Sequence, residues 1–216
     1  MFTGIIENTA IVKDIRFEKN NMILKLESDI ANELYIDQSI AHNGACLTVT
    51  DVQPPYYFVT LIEETLNKTH FRKIKINDVI NIERSLLPNK RLDGHFVTGH
   101  IDCVGIIQEI NDKNGSKEII IQHPESPYFI TIPKGSITVN GVSLTIVESS
   151  TQQFSVHIIP YTFEHTNIKY LKVEDEVNLE FDILGKYISK IISQYHLYKD
   201  LTPRPSPFER RGESKG

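Results

Sequence analysis

Apolar positions along this chain come in short runs rather than long stripes. Residues 9–12, 22–26, 46–50 and 57–61 in the first half, and 104–107, 118–121, 143–147 and 154–159 in the second, are four to six residues long. They are rich in β-branched and aromatic side chains and bounded by polar punctuation, which predicts strands. Asn43-Gly44 and Asn140-Gly141 supply residues that tolerate positive φ in a tight turn. Segments 64–69 and 161–166 read as equivalent short helical turns. The period changes after Asp182: Ile183, Leu184, Tyr187, Ile188, Ile191, Ile192 and Tyr195 recur at helical spacing. From Thr202 to Gly216 the chain turns to Pro, Arg, Glu, Gly and Ser, with too little apolar surface to offset ordering entropy, and a disordered tail is expected.

The pattern is written twice. Thr3-Gly4-Ile5-Ile6-Glu7 returns as Thr98-Gly99-His100-Ile101-Asp102 at an offset of 95; residues 39–49 return as 136–146, and 78–83 as 175–180, at 97. Identities are 5 of 13 (residues 3–15 against 98–110), 6 of 11 and 3 of 6. Solenoid units run roughly 20–50 residues, so this period is that of a small domain. The expected organisation is a barrel over 1–92, a second over 93–185, an oligomerisation helix over 186–201 and the tail over 202–216. Several short strands in each ~90-residue half suggest closed barrels, because closure removes exposed sheet edges. The fold class expected is all-β, two similar six-stranded Greek-key barrels in tandem with a C-terminal α-helix. The apolar stripe of that helix is wide and belongs to neither barrel, which favours oligomerisation over packing on its own barrel.

Composition narrows the function. A net charge of −5 argues against nucleic-acid binding. No run approaches a membrane span, and the first residues lack a basic, then apolar, leader. Two cysteines, Cys46 and Cys103, sit at non-equivalent places in the repeat, so free thiols in a reducing cytoplasm are expected rather than a disulfide.

Four motifs in order then carry a resemblance: residues 1–7 (MFTGIIE), 41–49 (AHNGACLTV), 94–102 (GHFVTGHID) and 140–145 (NGVSLT). Together, in a duplicated frame, they resemble the riboflavin synthases of the α type, which are built from two lumazine-binding domains. The likeness covers about residues 1–198. It implies six-stranded Greek-key barrels and a homotrimer held largely by the C-terminal helices. It implies dismutation of two 6,7-dimethyl-8-ribityllumazine molecules into riboflavin and 5-amino-6-ribitylamino-pyrimidinedione, the last step of riboflavin biosynthesis. The resemblance implies that no metal or redox cofactor takes part and makes lumazine synthase a candidate associate. It also implies sites formed between the N-terminal barrel of one subunit and the C-terminal barrel of its neighbour. A non-catalytic lumazine- or flavin-binding protein of the same fold is the main alternative. A flavin-dependent reductase would need a dinucleotide fingerprint, which is missing.

Dismutating two identical molecules requires holding both and treating them differently. Orientation can contribute on the order of 7–11 kcal/mol. Matched residue by residue, the resemblance gives an N-terminal pocket of Gly4, Ile5, Ile6, Cys46, Leu47, Thr48, Thr60, Leu61, Ile62, Glu63, Glu64 and Thr65. It gives a C-terminal pocket of Gly99, His100, Ile101, Lys134, Ser143, Leu144, Thr145, His157, Ile158, Ile159, Pro160, Tyr161 and Thr162. Shared positions (Gly4/Gly99, Ser39/Ser136, Leu47/Leu144, Thr48/Thr145, Thr65/Thr162) would build a common cradle. Differing ones (Ile5/His100, Cys46/Ser143, Asp37/Lys134, Ser85/Asp182) would assign roles. The catalytic candidates are His100, as a base near neutral pH for the lumazine 7-methyl proton; Ser143 and Cys46, as groups that supply or orient a nucleophile; and Asp182, which orients a base or activates water and is otherwise a helix N-cap. His42 and His95 flank glycine turns and are expected to be structural. Tyr161 departs from the family, which usually carries Glu there.

Overall fold

The computed structural model describes residues 1–201, with side chains to Tyr195; the tail expected over 202–216 lies outside the described residues. The first half holds β1 (Asn8–Glu18), β2 (Asn21–Glu27), β3 (Ser39–His42), β4 (Ala45–Gln53), β5 (Tyr56–Leu61), the short helix α1 (Glu63–Lys68) and β6 (Val79–Arg84). The second repeats them as β7 (Cys103–Asp112), β8 (Lys117–Gln122), β9 (Ser136–Val139), β10 (Val142–Ser149), β11 (Gln153–Ile158), α2 (Pro160–His165) and β12 (Glu176–Phe181), and ends in α3 (Ile183–Leu201). Each set closes into a barrel in the order β1-β2-β5-β4-β3-β6 and its equivalent β7-β8-β11-β10-β9-β12, with every pairing antiparallel. The all-β tandem-barrel expectation holds. No described helix is long and apolar enough to cross a membrane.

Alternation builds each core. In β2, Met22, Leu24 and Leu26 point inward, and in β5, Tyr57, Val59 and Leu61 do, while their neighbours face out. Ile119 and Ile121, then Phe154, Val156 and Ile158, do the same in the second barrel. The strands bend at bulges in matching places, between Val12 and Asp14 and between Ile107 and Glu109, then between Val49 and Asp51 and between Ile146 and Ser149. An extra residue raises local twist, which a small closed barrel needs.

The barrels meet along a pseudo-twofold axis made of turns and asparagines. Asn43 and Asn140 adopt positive φ ahead of Gly44 and Gly141, and the two turns touch backbone to backbone. A Cβ on Gly44 would lie 2.9 Å from the Gly141 nitrogen, and one on Gly141 2.7 Å from the Gly44 nitrogen. Around them Asn81 Nδ2 donates to the Asn140 carbonyl (2.9 Å) and Asn178 Nδ2 to the Asn43 carbonyl (3.0 Å). The Asn81 and Asn178 amides donate in turn to Asn43 Oδ1 and Asn140 Oδ1, both at 2.8 Å. Buried polar groups are costly unless paired, and here they pair with each other across the joint.

His70 breaks the symmetry. Its repeat equivalent Asn167 donates to Asn43 Oδ1 and accepts from Asn81, whereas His70 Nε2 lies 3.0 Å from Asn43 Nδ2. An amide NH2 can only donate, so this ring nitrogen must be unprotonated. Burial lowers the His70 pKa from 6.5 to about 4 and does the same to His42, which is wedged between the Tyr57 hydroxyl and the Ile40 carbonyl.

A base whose folded pKa is depressed adds stability above its unfolded pKa and loses it as pH falls toward the folded value, here from about 6.5 to about 4. His70→Asn, which installs the residue of the other repeat, should therefore lose less stability than wild type between pH 7 and 4.5, by up to roughly 3 kcal/mol. Parallel denaturant titrations at the two pH values read the difference; identical slopes would show that His70 is not held neutral.

Candidate functional site

The leading segment of each repeat leaves its own barrel and lies against the other. Thr3-Gly4 is held at its base by Glu83 on β6: the Thr3 amide and Oγ1 donate to Oε1, both at 2.7 Å, and the Gly4 amide to Oε2 at 2.9 Å. Glu180 on β12 grips Thr98-Gly99 in the same three bonds, at 2.7, 2.7 and 2.9 Å. Both carboxyls are buried, and burial pushes their pKa values up against the pull of those donors. From these clamps each strap crosses over. The Gly4 carbonyl accepts from the Ser143 amide and the Gly99 carbonyl from the Cys46 amide, both at 2.8 Å. Ile6 packs against the second core, while Ile101 is buried in the first. Phe2 and Val97 pair as a two-stranded bridge where the straps pass.

The straps group the expected residues differently: Gly4 lies on the Ser143 backbone rather than beside Cys46, and Gly99, His100 and Ile101 line one cavity with Cys46. The reason is steric as well as topological. Gly4 and Gly99 have φ of +77° and +83°, and a Cβ on either would sit 2.6 Å from the Ser143 or Cys46 Cβ. Only a glycine lets strap and strand approach this closely.

The first cavity, ≈ 360 Å3, is lined by Cys46, Glu64, Thr65, Lys68, Gly99 and His100 among others. His100 is exposed on the strap. Burial pushes the Cys46 thiol up, against a hydrogen bond from Ser39 that lowers it. Helix α1 brings Glu64 and Lys68 to the rim as an ion pair at 3.1 Å, with Glu63 in its first turn. Thr65 lends its carbonyl to Thr69. Thr48 and Ile62 are exposed and Thr60 is half-buried, but the Leu47 and Leu61 side chains point into the core, so those two can offer a ligand only backbone.

Around Ser143 the strap brings Ile5, and β10 brings Leu144 and Thr145. Ser143 Oγ is 2.7 Å from His95 Nδ1, and His95 Nε2 is 3.2 Å from Thr138 Oγ1. The histidine set aside as structural thus contacts the leading nucleophile candidate. His95 lies outside the repeated segments, so mirrored positions could not flag it. Burial lowers its pKa, while the Asp182 carboxylate raises it. Asp182 also caps α3, accepting from the Leu184 amide at 2.9 Å. Across β11, His157 faces Glu118 at 3.4 Å, Ile159 is exposed and Ile158 is core. Pro160 opens α2, where Tyr161 stacks on His165 with centroids 4.1 Å apart and the Thr162 carbonyl accepts from Thr166. Ile158 and Pro160 line a separate depression of ≈ 240 Å3. Lys134 stands exposed in a left-handed turn, its amide bonded to the Ile146 carbonyl. A larger crevice of ≈ 540 Å3 opens beside the asparagine joint, but no sequence-predicted site residue lines it.

Comparison with known proteins follows this geometry. Residues 3–85 and 98–182 each match the lumazine binding domain, so the class is a tandem lumazine-binding-domain protein. The riboflavin synthase of Actinobacillus pleuropneumoniae is 37% identical over 193 residues, covering 89% of this chain and 90% of that one. Those of Bacillus subtilis (34%, with 89% and 90% covered) and Escherichia coli (33%, with 84% and 87%) align similarly. The chain belongs to the riboflavin synthase family. Among solved structures, LumP complexed with riboflavin shares the fold with a TM-score of 0.78 at 23% identity, over 83% of this chain and 98% of that one.

Gly99→Ala, which forces a side chain onto Cys46 at positive φ, should cost about 2–4 kcal/mol. Gly115→Ala, also at positive φ but with nothing within 4 Å, should cost only its backbone strain. Equal losses in a denaturant titration would remove the close-approach argument.

Proposed function

We propose that the protein is a riboflavin synthase that binds two molecules of 6,7-dimethyl-8-ribityllumazine and dismutates them to riboflavin and 5-amino-6-ribitylamino-pyrimidinedione. The supporting observation is the pair of exchanged straps, alike in backbone and unlike in side chains, with a cavity of ≈ 360 Å3 where the second strap meets the Cys46 hairpin. Strand and strap amides and carbonyls read the heterocycle edge, and Thr48, Thr65, Thr145 and Thr162 offer hydroxyls to the ribityl chain. Glu64, Thr65, Lys68, Thr69 and His100 line the Cys46 cavity with polar groups that suit a polyhydroxylated ligand.

The side chains divide the labour. On the Ser143 side, a neutral His95 accepts from the hydroxyl through Nδ1 and donates through Nε2–H to Thr138. This prepares Ser143, or a water it holds, to add at C7 of one lumazine. Asp182 supports the imidazolium that then forms. On the Cys46 side, His100 takes the 7-methyl proton of the other lumazine. The raised pKa keeps the Cys46 thiol protonated, so it serves as a weak donor to the ligand rather than as a thiolate.

A homotrimer completes the reading. Helix α3 is tied to the second barrel by Lys186 on Asp102 (2.6 Å) and Ser189 on the Pro127 carbonyl (2.7 Å). Leu184, Tyr187, Ile188, Ile191, Ile192 and Tyr195 are all exposed, each by half or more. Such a stripe marks an interface. We place the enzyme in the cytoplasm, with lumazine synthase as the associate that would hand it substrate.

Incubation with the lumazine alone should yield riboflavin; bound chromophore without turnover would favour the non-catalytic alternative. Ser143→Ala and His95→Asn should each cut turnover by about 100-fold or more while changing lumazine affinity far less. Equal losses in kcat and affinity would unseat the assigned roles. Ile188→Glu with Ile191→Glu should give monomers by light scattering, with activity falling in step; a fully active monomer would refute the trimer.

A further inference from the structure

We infer that Glu180 and Glu83 are positioning residues for the hairpin sites, at Cys46 and at Ser143, of the barrels to which they do not belong. The inference rests on the lumazine reading above and extends it to the way the two cavities are wired. Glu180 is part of β12, yet the strap it holds ends on the first barrel: the Gly99 carbonyl takes the Cys46 amide, Ile101 enters the first core and His100 lines the Cys46 cavity. Glu83 is part of β6, yet its strap delivers the Gly4 carbonyl to Ser143 and Ile6 to the second core. Neither carboxylate lines the ≈ 360 Å3 cavity. Each acts through the strap it anchors.

The chemistry of the clamp makes this specific. Three donors converge on one carboxylate: a threonine amide, the same threonine's hydroxyl and the following glycine amide. A carboxylate is acceptor-only and meets all three. A glutamine puts an NH2 against at least one backbone N–H, and a buried donor facing a donor cannot be satisfied. The strap must then shift, and the wall that shifts belongs to the other barrel. A merely structural glutamate would damage its own barrel first.

Hydrogen–deuterium exchange of the full-length protein, with and without 6,7-dimethyl-8-ribityllumazine, separates these cases. In wild type the ligand should slow exchange in both 43–50 with 60–69 and 140–147 with 157–166. In Glu180→Gln the first pair should need at least about tenfold more lumazine for the same protection, with the second pair nearly unchanged; Glu83→Gln should show the reverse. Thr98→Val, which deletes one bond of the clamp and keeps the backbone, should weaken the first pair in the same direction by a smaller factor. It stands in if Glu180→Gln fails to fold. Losses confined to the substituted barrel, or equal in both, would overturn the inference. A wild-type protein protected at neither pair would instead defeat the lumazine reading on which the inference rests.

Discussion

A buried carboxylate gripping a Thr-Gly turn is the contact on which the rest of this structure depends. It occurs twice, at the end of the last strand of each barrel, with three donors per carboxyl. Taking a carboxylate out of water is expensive, and the raised pKa values of Glu83 and Glu180 register that cost. Charge-assisted bonds to backbone amides offset it. What the clamp secures is direction. It turns the chain away from its own barrel, forces a glycine to positive φ and lays a carbonyl on the neighbouring barrel's hairpin. Without it Gly4 and Gly99 would have no reason to be glycine, and the Cys46 cavity would lose one wall.

The same crossing explains why the two barrels meet through so polar a joint. Barrels tied only by an apolar face could slide, and the strap carbonyls must meet the Ser143 and Cys46 amides at 2.8 Å. The reciprocal asparagine bonds set that register. Asn81 and Asn178 each donate to a backbone carbonyl of the opposite turn, while Asn43 and Asn140 accept from the backbone amides of Asn81 and Asn178 within their own barrels, so a slip breaks several bonds together. The glycines at the axis remove the Cβ atoms that would hold the turns apart. Replacing one Asn of the joint by His70 leaves the register intact but makes one bond depend on a neutral imidazole.

Much of this was legible in the sequence, and the gaps have physical causes. The eight apolar runs became β1, β2, β4, β5, β7, β8, β10 and β11 because alternation within a run is a local property. Strands β3, β6, β9 and β12 hid inside segments recognised only as repeats. Buried polar residues such as His42, Asn81 and Asn178 interrupt the apolar runs that mark a strand. The repeat paired Gly4 with Gly99 correctly, but repetition is blind to exchange: two straps lying on their own barrels or on each other's give the same offsets. Glu83 and Glu180 were visible as an identity in the third repeated segment, without a sign that they clamp anything. His95 escaped because it falls outside the duplication, and its role is set by a contact 48 residues away in sequence.

Duplication followed by local divergence is what lets this symmetric frame host an asymmetric reaction. The elements that hold a ligand repeat: clamp, glycine strap, Asn-Gly hairpin and a threonine in the first turn of a short helix. The side chains proposed to act on it do not. The first site has Cys46, a strap histidine and an ion pair on α1; the second has Ser143 beside His95, a strap isoleucine and a Tyr161–His165 stack on α2. Apart from His95, these differences lie at equivalent positions of the repeat, so they cost the fold little. Because the straps are exchanged, each cavity combines side chains from both copies. His100 belongs to the second copy and lines one cavity with Cys46 of the first. A change in one copy can therefore act on the side chains of the other, and the two halves could not drift into independent binding proteins without first losing the straps.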